Sequence, residues 1–310
     1  MNGLPSFRAA STWHVMADTH GFDQHTIDSG GVRLRCMTAG SSSDPMVLLL
    51  HGFPARWATW RRPMRALANA GLFAVAPDLR GYGDSEKPAR VSAYSSARLI
   101  DDVAALVRGF GREKACLVGH DFGGGVAWGA AMTQPDLVTR LAILNSVHPI
   151  GFEHEIRKWS QLKKSWYVFF FLVPRVPEWF FARRDFQFLR RSLADDGLSR
   201  DDIDDLLEGV RAPGALRAAI DGYRASFADG VRGRIPRAKV DVPTLVIWGD
   251  KDRYLNAALA DAPRDWVSDA RVVHIPAASH WVHHDAPDEV AALLIEHFQG
   301  RSAARISAAS

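Results

Sequence analysis

At 310 residues the chain is long enough for one large α/β domain with an excursion, or for two modest domains. Its residues are 47% apolar and 24% charged, the balance of an ordinary globular protein, and a net charge of only +3 with no accompanying motif argues against a nucleic-acid partner. The longest apolar run, Trp166 to Val173, is too short to span a bilayer, and Met1 to His20 lacks the charged region and apolar core of a signal peptide, so a cytoplasmic protein is expected.

Along the chain, His25 to Ser29 and Val32 to Thr38 flank Gly30-Gly31, a hairpin signal. Met46 to Leu50 is a continuous apolar strand, followed by a helix rich in Trp and Arg from about Trp57 to Ala70. Leu72 to Ala76 reads as a strand, Ser95 to Phe110 as a helix, and Lys114 to Val118 as a strand leading through glycines to a helix-compatible stretch, Val126 to Met132. Leu141 to Leu144 repeats the strand signal, as do Pro243 to Trp248 and Arg271 to Ile275 much later. Uniformly apolar strands separated by helices predict an α/β fold with a mostly parallel sheet covered on both faces. Cys36 and Cys116 fall in these strands without metal-ligand or CxxC spacing and read as buried, reduced thiols.

Residues 150–237 break the pattern. These 88 residues carry almost no strand signal, are punctuated by Pro174, Pro177, Gly197 and Pro213, and hold 14 of the chain's 31 aromatic residues. They predict a helical cap inserted into a core made of residues 1–149 and 238–310. Arg and Lys mixed with aromatics over 157–191 read as solvated faces of amphipathic helices, and aromatics left exposed there would favour a homodimer. The tail, Arg301 to Ser310, is small and polar enough to fray.

The chemistry is carried by Gly119-His120-Asp121-Phe122-Gly123. A glycine-flanked turn between strand and helix is the layout of a nucleophile elbow, but the nucleophile position holds Asp121 rather than serine. A carboxylate is ionised at neutral pH and can displace a leaving group from saturated carbon, making an ester of the enzyme itself. Water must then cleave that ester, which calls for a base and for donors to the oxyanion. His51-Gly52-Phe53-Pro54 follows the strand Met46 to Leu50, where the backbone N–H of Phe53 would complement that of Phe122, with Pro54 stiffening the turn through a possible cis bond. His280, in Ala278-Ser279-His280-Trp281, is the expected base. His283 and His284 are expected at the solvated surface, His120 on the far side of the nucleophile, and His51 in a structural hydrogen bond. Of Asp250 and Asp252, the second is chosen as the orienting acid because a turn is needed after the strand; after Leu144 the alternative acid position is occupied by Asn145.

These segments, together with Asp78-Leu79-Arg80-Gly81-Tyr82-Gly83-Asp84-Ser85 and Leu144-Asn145-Ser146-Val147-His148-Pro149, resemble the α/β-hydrolase superfamily and more narrowly the epoxide hydrolases, in order and over about residues 25–300. The resemblance implies two cap tyrosines that hydrogen-bond the epoxide oxygen, and the matching contexts are those of Tyr167 and Tyr223, although Leu172 stands where many relatives carry Gln. It implies an epoxide and water as substrates and no metal or organic cofactor; the aromatic lining favours an apolar epoxide, and Trp281 is expected beside the substrate. Haloalkane and fluoroacetate dehalogenases share the fold and the Asp nucleophile, but usually follow it with Trp or Arg where this chain has Phe122. A non-catalytic ligand receptor on the same fold is the reading from another class.

Overall fold

The computed structural model describes residues 16–17, 21–261 and 266–300, so the expectations for Arg301 to Ser310 and most of those for Met1 to His20 lie outside the described residues. Among these, nine strands form one sheet: β1 (Met16–Ala17), β2 (Asp23–Ser29), β3 (Val32–Ala39), β4 (Met46–Leu50), β5 (Phe73–Pro77), β6 (Ala115–His120), β7 (Val138–Leu144), β8 (Thr244–Gly249) and β9 (Ala270–Ile275). Their spatial order is β1-β2-β3-β5-β4-β6-β7-β8-β9. Pairings from β1 to β3, and of β3 with β5, are antiparallel; those from β5 through β9 are parallel. The hairpin turns at Gly30 and Gly31, both at positive φ.

Alternation of side chains along each strand divides the sheet between two apolar layers. Leu48, Leu50, Leu117, Leu141, Ile143, Val246 and Trp248 enter one layer; Val47, Leu49, Cys116, Val118, Ala142, Leu144, Leu245 and Ile247 enter the other. Both cysteines are free and buried. Burial on both faces fades at the edge strand β9, where His274 is exposed and only Ile275 is fully buried.

Two boundaries differ from the sequence reading. β7 begins at Val138, three residues before the predicted strand, and the helix after β6 begins at Asp121 rather than Val126. Gly123 to Gly125 depress helix propensity in isolation, but here Gly123 and Gly124 admit close packing. A Cβ on Gly123 would collide with the Leu50 and His51 carbonyls, and one on Gly124 with Ser146.

Six helices lie between β7 and β8: Pro149–Glu155, Trp159–Lys164, Trp166–Phe171, Val176–Asp195, Arg200–Arg211 and Ala215–Val231. The fourth is broken at Arg183–Phe186, with Arg184, Asp185 and Phe186 all at positive φ. Phe171, Phe181, Leu189, Leu193, Leu207 and Ile220 from this inserted segment join the same apolar cluster as Leu50 and Ala55 of the sheet side, so the insertion is packed on the core rather than around a core of its own. No described helix is long and apolar enough to cross a membrane.

Candidate active site

The turn between β6 and its helix forces Asp121 to φ 50°, a left-handed conformation that few non-glycine residues adopt and that marks functional sites when the surroundings over-determine it. Those surroundings are present. Ser146 Oγ donates to the Asp121 carbonyl at 2.6 Å, and the Phe53 N–H donates to Asp121 Oδ1 at 2.9 Å. The Phe122 N–H also bonds the carboxylate. Gly52 has to be glycine, because a Cβ there would overlap the Asp121 side chain. Phe53-Pro54 is a cis peptide bond.

His280 enters from the segment after β9. Its Nε2 stands 3.6 Å from Asp121 Oδ2 and its Nδ1 2.8 Å from Asp252 Oδ2. A carboxylate only accepts, so Nδ1 carries a proton and Nε2 faces the Asp121 carboxylate. Asp252 in turn accepts from Asn145 Nδ2 at 2.8 Å and, through Oδ1, from the Tyr254 and Leu255 N–H groups at 2.7 and 2.9 Å. Asp250 points elsewhere, to His274 at 2.6 Å.

Burial pushes the Asp121 carboxyl above the ordinary range, with His280 and the two N–H groups pulling the other way. For His280, burial lowers the pKa but the Asp252 carboxylate and its hydrogen bond, aided by Asp121 and Asp196, outweigh it and hold the imidazole at about 9. Asp252 lies below its ordinary value despite burial, because of His280 and Asn145. The resting site therefore holds an imidazolium between two carboxylates.

A cavity of about 350 Å³ opens over Asp121 and His280, lined also by Phe53, Pro54, Tyr167 and Trp281. The Tyr223 hydroxyl lies 3.4 Å from Asp121 Oδ1, and the ring packs against Phe53 and Phe122 at 6.1 and 5.2 Å. Tyr167 and Tyr223 rings are 6.3 Å apart. Burial, followed by the charge of Asp121, raises both phenols well above their ordinary pKa, which keeps them neutral donors.

Two histidine expectations divide. His51 accepts from the Leu79 N–H at 3.0 Å, a structural bond as expected, and His120 bonds the His280 carbonyl at 3.0 Å. His283, expected at the solvated surface, is instead buried, stacked on Trp60 at 4.7 Å and bonded to Thr59 Oγ1 at 2.8 Å. The cause is the short helix Val282–Asp285, which turns it away from the cavity but into the slot beside Trp60. His284 is half-buried against the same hydroxyl and faces Asp202 at 3.4 Å.

Tyr254 was not singled out by sequence. It lines the cavity, its ring lies 5.1 Å from that of His280, and its hydroxyl donates to Asp196 at 2.8 Å and meets Ser192 Oγ at 2.8 Å. The available signal was its position two residues after Asp252, at the end of a loop that the carboxylate itself caps.

The model of the alpha/beta hydrolase fold family matches residues 45–287. Epoxide hydrolase 3 of Xenopus tropicalis is 36% identical over 91% of this chain and 79% of its own length, and epoxide hydrolase 4 of Mus musculus is 33% identical over 86% and 77%. Among solved structures, a variant of a Bacillus megaterium epoxide hydrolase, complexed with its product, a naphthyloxy-propane-1,2-diol, superposes with a TM-score of 0.80 at 28% identity, over 89% of this chain and 100% of that one.

Proposed function

The chain belongs to the α/β-hydrolase superfamily and, within it, to the epoxide hydrolases, which act on ether bonds; from that premise we propose that it converts an apolar epoxide and water to a vicinal diol through a covalent ester on Asp121. In this reading residues 150–237 form a cap domain over a core of residues 1–149 and 238–310.

One observation carries the proposal. Asp121 has one carboxylate oxygen held by the Phe53 N–H and the other within 3.6 Å of the His280 imidazole. Oδ2 attacks a ring carbon, and the C–O bond of the epoxide breaks. Tyr167 and Tyr223 receive the opening oxygen and pass it a proton, since an alkoxide is a poor anion in a dry pocket. Esterification removes the Asp121 charge, one of the groups holding the His280 pKa up. The imidazole then gives up its extra proton more readily, by way of water to the phenolate that ring opening leaves, and as a neutral ring can accept a proton from the hydrolytic water. That water attacks the ester carbonyl, the N–H groups of Phe53 and Phe122 hold the oxyanion, and on collapse the leaving oxygen takes the proton from the imidazolium to give the diol, while the new carboxyl returns its proton to His280 and becomes the carboxylate again. Asp252 keeps a proton on Nδ1 throughout, so Nε2 is the nitrogen that releases and accepts the second proton.

The cavity wall supports an apolar substrate, since Phe53, Phe181, Phe188, Leu189 and Leu193 supply rings and branched chains to it. The relative solved with a naphthyloxy-diol product agrees with an aryl substituent. Aryl and alkyl epoxides should yield diol when incubated with the protein, and matched haloalkanes and fluoroacetate should yield no halide; halide without diol would reassign the carboxylate to dehalogenation.

A further inference from the structure

The mouth of the cavity opens on a face that the chemistry above does not use. Trp166 and Phe188 line the cavity, lie 6.2 Å apart, and are 47% and 40% exposed. Trp159, one helix earlier, is 67% exposed, with the Nζ of Lys163, another cavity residue, 5.1 Å above its ring. Trp179 is 61% exposed beneath the Arg183 guanidinium at 4.4 Å. Phe169, Val173 and Val176, from the same stretch, are exposed as well.

The charge of this segment is one-sided. Residues 157–191 contain nine Lys or Arg against Glu178 and Asp185 alone, and both acids are already taken, Glu178 by Arg224 and Asp185 by Arg190 and Arg211. Arg157, Lys163, Arg175, Arg183 and Arg191 are exposed and share no ion pair among the described residues. The basic residues are therefore not merely solvated helix faces, as their mixture with acids in sequence suggests; they are interleaved with large apolar side chains that folding has left in water.

Three exposed tryptophans, two of them under cations, and a fringe of Phe and Val suit an interface with an apolar interior and an anionic surface. Tryptophan settles at headgroup depth, and Lys or Arg beside an anionic bilayer is drawn to its surface charge. A second copy of the chain would set two cationic faces against each other, and a nucleic acid would leave Val173 and Val176 without a partner.

We propose that this face docks on an anionic lipid surface, lying on it without crossing it, with the cavity mouth turned toward the bilayer so that an apolar epoxide passes from lipid to Asp121. Docking rests on this face alone; delivery of the epoxide rests on the activity proposed above.

The test is co-sedimentation of the full chain with vesicles of phosphatidylcholine alone or mixed with phosphatidylserine, alongside light scattering for oligomeric state and a diol assay on a water-soluble epoxide. The protein should pellet with the mixed vesicles, be released by salt, and ignore phosphatidylcholine. Trp159→Ala with Trp179→Ala, and separately Arg157→Glu with Arg191→Glu, should each weaken binding by at least about tenfold while turnover of the soluble epoxide stays unchanged. Absence of pelleting, equal binding to neutral vesicles, or a dimer that the tryptophan variants dissociate would each overturn the proposal. Vesicle binding without diol formation would uphold docking and remove delivery together with the activity.

Discussion

Asp121 and His280, on the β-sheet side of the cavity, are held by directional hydrogen bonds: Phe53 N–H and Ser146 Oγ on one, and Asp252, itself fixed by Asn145 and two backbone N–H groups, on the other. Tyr167, which lines the cavity, and Tyr223, whose hydroxyl meets Asp121, are held mainly by rings. Phe171 lies 5.7 Å from the first and 5.0 Å from the second, and among the described residues the Tyr223 hydroxyl makes one long bond, to Asp121 itself. Hydrogen bonds fix angles, whereas ring contacts tolerate small shifts. In the proposed mechanism ester cleavage, which needs water, base and oxyanion donors aligned, draws on the first set; ring opening, which needs donors that follow a moving oxygen, draws on the second.

The largest effect that would separate the two sets is loss of both phenols. Tyr167→Phe with Tyr223→Phe should slow ring opening by about 10²- to 10³-fold and leave ester cleavage near its original rate, read from the two phases of a pre-steady-state trace. A trace in which only the second phase slowed would reverse the assignment.

The pH dependences should separate as well. Burial raises the Asp121 pKa, so ring opening should fall as pH drops through that raised value, by about tenfold per unit below it. Ester cleavage needs neutral His280, and with the Asp121 charge gone its midpoint should lie below the value of about 9 held in the resting enzyme. Cleavage should therefore rise with pH and level off before 9 in single-turnover measurements on isolated ester; a rise continuing beyond that value would mean that the Asp121 charge does not set the imidazole.

A smaller effect tests the link between the sets. Tyr254→Phe removes the hydroxyl joining the Asp252 loop to Ser192 and Asp196 of the inserted helices, while its N–H to Asp252 remains. KM should rise a few-fold, by about 1 kcal/mol for the lost bonds, with kcat changed little. A large fall in kcat at constant KM would place Tyr254 in the chemistry.

How much of this was legible in sequence follows the same division. The positions of Asp121, His280 and Asp252 could be read because each sits at a strand end, where glycines and short turns leave the backbone few paths. Phe53 and Phe122 were legible for the same reason, since their backbone rather than their side chains matters. What lay on side-chain packing was not legible. His283 looks solvated until the Val282–Asp285 turn drops it beside Trp60. The break at Arg183–Phe186 has no proline or glycine to announce it, and the reach of Tyr254 to Asp196 joins residues 58 positions apart. The exposed tryptophans were counted among the aromatics of residues 150–237, but composition cannot say which face they occupy.

The covalent ester on Asp121 is tested most directly by mass spectrometry of the His280→Gln variant after exposure to an aryl epoxide. Ring opening should proceed and cleavage stall, so the peptide containing Asp121 should gain the mass of one epoxide while turnover falls by about 10²- to 10⁴-fold. A variant that remained unmodified and fully active would contradict both the ester and the role of His280.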